Sequence, residues 1–367
     1  MRTVWLIEGP KSGDNAQVRA LGAALVARGG WRSETKPLRF HRAELLAQLV
    51  RCPNLIGLVP QDRSTLAAPW PDLVVGAGRR AEPVARWIQR SAARQRVAPP
   101  RLVHLGRPWS RPSVFDLVVS SRQYDLPGGS NVLSLLLPLT APATHLPGDG
   151  TGLEFGIFDD LPRPWSGVLI GGDSGYLIFD ATRARDLANA LIADSGHGSL
   201  IIVGSPRTPD RFLSALSQTL RSALGAAFDE RVRVYPFRRG LAPDGANPYR
   251  AVLGTAERLI VTSDSVSMVL EAVATGTPTY LHDVQPRGSD WWRHPVEYRW
   301  RALSHRLVQV LAPRRLRRDV RSLHAALIAA GHVRWLKDGL TAFAPEPLEP
   351  ASALVSVVDR VEALFRH

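Results

Sequence analysis

The second half of the chain alternates short apolar runs with segments of helical spacing, and this alternation limits the fold more than any other feature. Such runs are typical of strands in a parallel sheet, because crossing helices cover both of its faces. Asn247 and Pro248 suit the N-cap and the first position of one helix. The pattern predicts a doubly wound α/β domain, with strands at residues 167–170, 199–203, 232–236, 258–262 and 277–281 and helices at 180–193, 209–224, 248–256 and 265–275.

The first half repeats this order of strands and helices. Apolar residues recur at helical spacing after the first strand, and a second helix begins near Ala81. We therefore expect two Rossmann-like domains, at residues 1–145 and 166–342. Prolines and glycines indicate a linker at 146–165, and residues 343–367 read as a tail with an amphipathic final helix. The strands of this half are predicted at residues 3–7, 72–76, 101–105 and 115–120.

The chain is strongly basic. Its 367 residues include 46 Lys and Arg against 33 Asp and Glu, a formal net charge of +13. The sequence has neither interleaved basic and aromatic residues nor a DNA-reading motif, so we expect no nucleic-acid partner. Compositional bias and a phosphorylated ligand explain the arginines equally well. The basic run at 314–321 is interpreted as a solvated helix face, with peripheral contact to an anionic membrane as the alternative.

The sequence gives no sign of membrane insertion or export. The most apolar window, at residues 132–143, is far short of the roughly 20 residues that span a bilayer. The N-terminus lacks the pattern of a signal peptide, and the single Cys52 cannot form an internal disulfide. No cysteine or histidine spacing indicates a metal site. We therefore expect a cytoplasmic protein, peripheral to the inner membrane face if the basic run binds lipid.

The residues that follow each strand are the candidates for a site, because ligands of open α/β sheets bind beyond the carboxyl ends of the strands. Asp264, Ser267 and Glu271 are spaced by three and four, which predicts one polar stripe on an otherwise apolar helix. A phosphate would suit the start of this helix, with Ser263 and Ser265, and a pair of ligand hydroxyls would suit Glu271. The alternative is that one of the polar residues only caps the helix and that Glu271 pairs with an arginine.

A glycine turn after the strand at 167–170 is the second candidate. Glycines allow the backbone to approach a phosphate closely and to direct its N–H groups toward it. A plain turn is the alternative, here and after the next strand. The interpretation as a nucleotide-sugar site includes Gly171, Gly172, Ser174 and Gly175, together with Ser205 and Arg207.

The N-terminal half offers a smaller set of candidates. Asp14 and Gln17 fit a capping box, which would explain the loop after the first strand without a ligand. Two glycines and two arginines at a helix start fit either an anionic ligand or a salt bridge between the domains. The candidates assigned to the N-terminal side of a cleft are Gly13, Asn15, Gln17, Gly78, Arg79 and Arg80.

Several short motifs occur in one order along nearly the whole chain. They read GDNAQ at 13–17, GRR at 78–80, FDLV at 115–118, IGG at 170–172, NPY at 247–249, DSVSM at 264–268 and EA at 271–272. This order resembles the mitochondrial-fission family named after the plant "elongated mitochondria" protein, whose bacterial members are far more numerous. That family is similar in turn to GT-B glycosyltransferases, notably the enzyme that adds N-acetylglucosamine to the lipid-linked peptidoglycan precursor.

The resemblance implies a GT-B-like arrangement, in which two Rossmann-like domains face a cleft and the final helix packs back on the N-terminal domain. It also implies that the turn at 171–175 holds the donor and that Glu271 binds the ribose hydroxyls. Such enzymes often carry a catalytic histidine in the N-terminal loop. No histidine lies there in this sequence, and Asp14, the only titratable acid of that loop, becomes the candidate base.

The function expected from these residues and this resemblance is glycosyl transfer without a metal ion. The donor would be a nucleotide-diphosphate sugar, with no further cofactor, and the acceptor, not named by the sequence, would belong to envelope glycan synthesis. Two alternatives stay open. One is a non-enzymatic, fission-type interaction protein, and the other is an epimerase acting on a nucleotide-diphosphate sugar.

Overall fold

The computed structural model divides the chain into two compact units. The N-terminal unit consists of Met1–Thr144, Pro313–Asp319 and Glu349–His367, and the C-terminal unit consists of His145–Ala312 and Val320–Leu348. The structure describes the chain outside residues 42–51, 125, 137, 140–155, 175–176, 195–197, 239–246, 285–287, 289–301, 314–315, 318, 348–349 and 367.

The N-terminal unit is built on a six-stranded sheet in which every neighbouring pair is parallel. The strand order is β2-β1-β3-β4-β5-β6. Because the chain passes from β1 outward to β2 and then returns to β3, the direction of winding reverses between β1 and β3. The strands are β1 (Arg2–Glu8), β2 (Trp31–Pro37), β3 (Leu73–Ala77), β4 (Arg101–Leu105), β5 (Leu117–Ser121) and β6 (Val132–Leu135).

Helices cover both faces of this sheet. Val18, Leu21 and Leu25 of one helix are fully buried against alternate residues of β1, β3 and β4, and Val84 and Ile88 of another pack on the opposite face. The helices of this part of the chain are α1 (Ser12–Arg28), α2 (Pro60–Arg63) and α3 (Gly78–Arg94), with a 3-10 turn at Pro112–Val114.

The C-terminal unit has a second parallel six-stranded sheet, in the order β12-β11-β10-β7-β8-β9. Counted from β7, this is the Rossmann order 3-2-1-4-5-6, whose reversal lies between β7 and β10. All residues of β7 and β8 are buried, as expected for central parallel strands. The strands are β7 (Trp165–Ile170), β8 (Ser199–Gly204), β9 (Val232–Tyr235), β10 (Arg258–Thr262), β11 (Thr279–His282) and β12 (Arg334–Trp335).

Seven helices are described within the C-terminal unit, and the last helix of the chain belongs to the N-terminal unit. That last helix, α11, buries Val357 and Val361 in the core that α1 forms with the first sheet. Glu362 accepts a hydrogen bond from the Trp31 indole at 2.5 Å. The helices are α4 (Ala181–Asp194), α5 (Asp210–Leu224), α6 (Ala227–Arg231), α7 (Pro248–Thr255), α8 (Val266–Ala274), α9 (Ala302–Leu311), α10 (Val320–Ala329) and α11 (Pro350–Ala363), with a 3-10 turn at Leu336–Asp338.

These two sheets confirm the prediction of an α/β protein with two Rossmann-like, doubly wound units. The predicted strands lie within a few residues of the observed ones, whereas the polar edge strand β2 and the two short edge strands β6 and β12 were not predicted. In the segment interpreted as a linker, only 156–165 is described, and there Phe158 and Leu161 are buried side chains of the C-terminal unit. No helix in the described part of the chain is both long and apolar enough to cross a membrane.

Candidate functional site

Two loops meet at the reversal point of the C-terminal sheet. Residues 171–174 follow β7, and residues 263–265 follow the neighbouring strand β10. The backbone N–H of Gly171 donates to Thr262 Oγ1 at 2.8 Å, and the N–H of Gly172 donates to Asp264 Oδ2 at 3.0 Å. The sequence separates these loops by about ninety residues, yet they form one hydrogen-bonded structure.

The carboxylate of Asp264 is the centre of this structure. Its side chain has 0% exposure, and it also accepts from Thr262 Oγ1 at 2.8 Å and from Arg207 Nη2 at 3.0 Å. Arg207 donates in addition to the carbonyl oxygens of Gly172, at 3.0 Å, and Asp173, at 3.2 Å. A buried charge is tolerated because the guanidinium and two further donors, the N–H of Gly172 and the hydroxyl of Thr262, compensate it.

The glycines are required because these loops approach each other closely. A Cβ at Gly171 would collide with the carboxylate of Asp264, and one at Gly172 would collide with the backbone of Arg207. Ser205 adds a third loop, since its hydroxyl donates to the carbonyl of Gly171 at 2.8 Å. The three loops therefore support one another through contacts that a side chain on either glycine would break.

The structure corrects the expected role of the backbone N–H groups in this turn. Those of Gly171 and Gly172 bind Thr262 and Asp264, and that of Ser174 donates to the carbonyl of Leu177 at 3.0 Å. They are therefore occupied by the protein and do not point toward a ligand. The guanidinium of Arg207 is likewise engaged with the turn and with Asp264. Gly175 lies outside the described residues.

The N-terminus of α8 is uncapped at the same edge. Ser265 is its N-cap residue, and no side chain caps the helix. The first helical hydrogen bond runs from Val269 N to Ser265 O at 3.1 Å, so the N–H groups of the first turn have no partner within the helix. Ser263 is held by its neighbours instead, because its hydroxyl accepts from Val284 N at 2.9 Å. The idea that a polar residue here only caps the helix is therefore wrong.

The predicted polar stripe needs a second correction. Asp264 precedes the helix and is buried, whereas Ser267 and Glu271 lie on α8 and are exposed. No arginine among the described residues forms an ion pair with Glu271. It accepts a hydrogen bond from the phenol of Tyr249 at 2.7 Å, a partner that the sequence did not indicate. Burial raises the pKa of Tyr249, and Glu271 raises it further, so the phenol is a donor at neutral pH.

In the N-terminal unit, the loop after β1 holds itself together. Asn15 Oδ1 accepts from Gly9 N at 2.9 Å, and Asn15 Nδ2 donates to Gly9 O at 2.8 Å. Gln17 donates to Gly13 O at 3.4 Å. The amides expected at a cleft are thus used within the loop. The capping box is wrong as well, because α1 begins at Ser12, before Asp14, and no side chain caps it.

Asp14 lies at the reversal point of the N-terminal sheet, against the first residue of α3. A Cβ at Gly78, whose φ is +70°, would approach Asp14 Oδ2 to 2.5 Å. Lys11 Nζ is 3.8 Å from the same oxygen, and the side chain of Asp14 is 31% exposed. Arg80 stacks over Phe40, with its guanidinium carbon 5.9 Å from the ring centre.

Two histidines outside the predicted site residues lie at or near strand ends of the two sheets. His104 on β4 is 1% exposed, and its Nε2 atom has no hydrogen-bond partner. Burial lowers the pKa of His104, against the opposing effect of Glu82, the Arg107 backbone and Asp14. Burial lowers the pKa of His282, at the end of β11, to about 4. Both rings are therefore neutral at pH 7. Their position at the ends of predicted strands was the only feature of the sequence that could have indicated these two histidines as candidates.

No group of three metal-ligating side chains occurs in the part of the chain that the structure describes. The candidate site in the C-terminal unit consists of the uncapped N-terminus of α8, the hydroxyls of Ser265 and Ser267 and the carboxylate of Glu271. The glycine turn, Asp264 and Arg207 form the hydrogen-bonded structure that precedes this helix. The candidate site in the N-terminal unit consists of Asp14 with Gly13 and the start of α3.

Comparison with known proteins connects the chain to one family and to several solved structures. The curated relative is the mitochondrial fission protein ELM1 of Arabidopsis thaliana, 27% identical over 248 residues. That match covers 61% of this chain and 54% of the relative, so the chain spans about half of the relative's length.

Similar solved structures include MurG of Acinetobacter baumannii, with 14% identity, a TM-score of 0.45 and coverage of 98% of this chain and 92% of that one. They also include S. aureus MnaA with UDP, at 10% identity, a TM-score of 0.42 and coverage of 90% and 95%. The family model "Mitochondrial fission ELM1" matches residues 12–296, which is most of the sequence. The chain belongs to the mitochondrial fission ELM1 family.

Proposed function

We propose that the C-terminal unit binds a nucleotide-diphosphate sugar and that the chain transfers the sugar to an acceptor without a metal ion. The observation that carries the proposal is the uncapped N-terminus of α8 at the reversal point between β7 and β10. Free N–H groups and the positive end of a helix dipole favour an anion, and ligands of open α/β sheets bind at such a point. A diphosphate has the charge that suits this place.

The exposed side of α8 extends the proposed site from the phosphates to the nucleoside. Ser265 and Ser267 offer hydroxyls near the first turn, and Glu271 lies one turn beyond Ser267 on the same side of the helix. A carboxylate accepts hydrogen bonds from two neighbouring hydroxyls, as a ribose presents them. We assign the diphosphate to the start of α8 and the ribose to Glu271.

The proposed reaction forms one bond and breaks another. The acceptor oxygen bonds to the anomeric carbon of the sugar, while the bond from that carbon to the diphosphate oxygen breaks. The electron pair of the broken bond stays on the nucleoside diphosphate, whose charge the start of α8 stabilises. The proton of the acceptor hydroxyl passes to a base, for which Asp14 is the candidate.

The acceptor side is assigned to the N-terminal unit, with Gly78, Arg79 and Arg80 near Asp14. The proposal extends to an acceptor of envelope glycan synthesis on the cytoplasmic side of the inner membrane, because the family that the motif order resembles is similar in turn to an enzyme of peptidoglycan synthesis.

Calorimetric titration with UDP, GDP, ADP and CDP tests the donor site. We expect the wild type to bind one of them and Glu271→Ala to bind it about tenfold more weakly, because the hydrogen bonds to the ribose are lost. Glu230→Ala, which removes an exposed carboxylate from α6 of the same unit, is the matched control and should bind like the wild type. No binding by the wild type, or equal binding by the two glutamate variants, would overturn the assignment.

Family membership favours a second candidate, a non-enzymatic interaction protein. The curated Arabidopsis relative is described as a mitochondrial fission protein, not as an enzyme. Protein partners captured by the full chain, together with an absence of nucleotide binding, would support this candidate. The third candidate is an epimerase that acts on a nucleotide-diphosphate sugar. Analysis of the products formed without an acceptor separates it from a transferase, because only an epimerase would change the sugar nucleotide under those conditions.

A further inference from the structure

Tyr249 connects the helix that precedes β10 in the sequence with the helix that follows it. It lies in the first turn of α7, and its phenol donates to Glu271 Oε2 on α8 at 2.7 Å. The sequence separates the two residues by 22 positions, with β10 between them. The hydrogen bond therefore fixes the carboxylate of one helix to the start of another.

The backbone holds Tyr249 in place. Asn247 caps α7, accepting from the N–H of Tyr249 at 3.1 Å, and Pro248 occupies the first turn. Ala251 and Val252 bury the next turn of the helix in the unit. The half-buried phenol is thus presented from a rigid helix start, whereas Glu271 extends from an exposed side of α8.

An exposed glutamate samples several rotamers, and fixing one of them opposes binding through lost side-chain entropy. The hydrogen bond from Tyr249 selects one arrangement before a ligand arrives. Of the two carboxylate oxygens, Oε2 carries this bond, and Oε1 has no partner among the hydrogen bonds of the described residues. Oε1 is therefore the oxygen that a ligand hydroxyl can use.

We propose that Tyr249 is a positioning residue that holds Glu271 for a ribose hydroxyl and so favours ribonucleotides over 2′-deoxyribonucleotides. The inference rests on the proposed function. It adds a residue that contacts Glu271 and not the ligand. The expected consequence is specific, because losing Tyr249 weakens only the part of the binding that depends on the ribose hydroxyl.

Titration calorimetry with UDP, GDP, ADP and CDP, each compared with its 2′-deoxy form, tests the inference on the full chain. We expect the wild type to bind the ribose form of one of them about tenfold more tightly than the deoxy form. Tyr249→Phe should lose most of this preference while binding the deoxy form unchanged. Tyr235→Phe, at a partly buried tyrosine on β9, is the matched control and should keep the preference.

The outcomes separate this inference from the proposed function. If no nucleotide binds to the wild type, the proposed function fails and the inference fails with it. If the wild type binds and Tyr249→Phe keeps the full preference, only the positioning role is overturned. An equal loss for both forms of the nucleotide would also overturn it, because a merely structural role weakens both. If Tyr249→Phe does not fold, Asn247→Ala replaces it, since loosening the start of α7 should reduce the preference in the same direction.

Discussion

The two units place a carboxylate at the reversal point of a parallel sheet, but they use it in opposite ways. In the N-terminal unit, Asp14 lies against the first residue of α3 and is partly exposed. In the C-terminal unit, Asp264 turns away from α8, becomes fully buried and pairs with Arg207, which leaves the start of α8 open. The start of α3 thus already has a negative charge beside it, whereas the start of α8 has none and favours a negatively charged ligand. The first suits a hydrogen-bond donor, and the second suits an anion.

Removing the buried carboxylate should have the largest effect. Asp264→Ala leaves Arg207 without its ionic partner and leaves the N–H of Gly172 unpaired inside the protein. We expect the free energy of unfolding of the C-terminal unit to fall by about 4 kcal/mol. Urea unfolding followed by circular dichroism measures it. Asp14→Ala is the control and should cost less than about 1 kcal/mol. Equal losses of unfolding free energy in the two variants would show that the buried and the partly exposed carboxylate do not differ in their contribution to stability.

A methyl group added at one glycine of each unit tests how closely the loops of the C-terminal unit approach each other. Gly172→Ala introduces a Cβ into the backbone of Arg207, whereas Gly13→Ala meets no atom within 4 Å. We expect Gly172→Ala to destabilise the C-terminal unit by about 3 kcal/mol and Gly13→Ala to be neutral or slightly stabilising. Thermal melting of the two variants measures the difference. A neutral Gly172→Ala would show that the three loops do not depend on this contact.

Asp14→Asn separates catalysis from donor binding. If Asp14 is the base, the turnover rate should fall by about a hundredfold, while the affinity for the nucleoside diphosphate stays unchanged. The measurement is glycosyl transfer on the donor found by titration, with Asp14→Glu as a variant that retains the carboxylate. A turnover rate of Asp14→Asn equal to that of the wild type would show that Asp14 is not the catalytic base.

The lowered histidine pKa values should make the stability of the fold depend on pH. The folded-state pKa of His282 is lowered from its ordinary value of 6.5 to about 4, so the unfolded chain binds the proton more readily. The stabilisation is complete above the ordinary pKa and is lost as the pH falls toward 4. We expect a loss of about 2 kcal/mol between pH 7 and pH 4 from this group. His282→Gln should flatten that part of the urea-unfolding profile, and an unchanged profile would contradict the burial effect.

The central strands could be predicted because burial on both faces makes them continuous apolar runs, as in β7 and β8. The edge strand β2 could not, since its outward residues are polar and its pairing depends on β1. In the candidate site, the spacing of Ser267 and Glu271 correctly indicated one helical side. The same spacing misplaced Asp264, because the helix begins only at Val266 and the chain turns before it.

The partners in the candidate site were the hardest part to predict. The sequence favoured phosphate contacts for the N–H groups of Gly171 and Gly172, yet their acceptors lie on a loop about ninety residues away. Tyr249 was visible in the motif at 247–249, but nothing in the order of residues indicated its bond to Glu271. Local patterns report local structure, and contacts between distant loops depend on strand order.

The burial of α11 in the N-terminal unit has a consequence for synthesis. Val357 and Val361 complete a core whose other members come mainly from the first 140 residues. A ribosome delivers those early residues long before it delivers the last helix. Until α11 has been synthesised, one apolar side of the first sheet and α1 stays uncovered and can attract chaperones or other nascent chains. Maturation of the N-terminal unit therefore waits for the synthesis of α11.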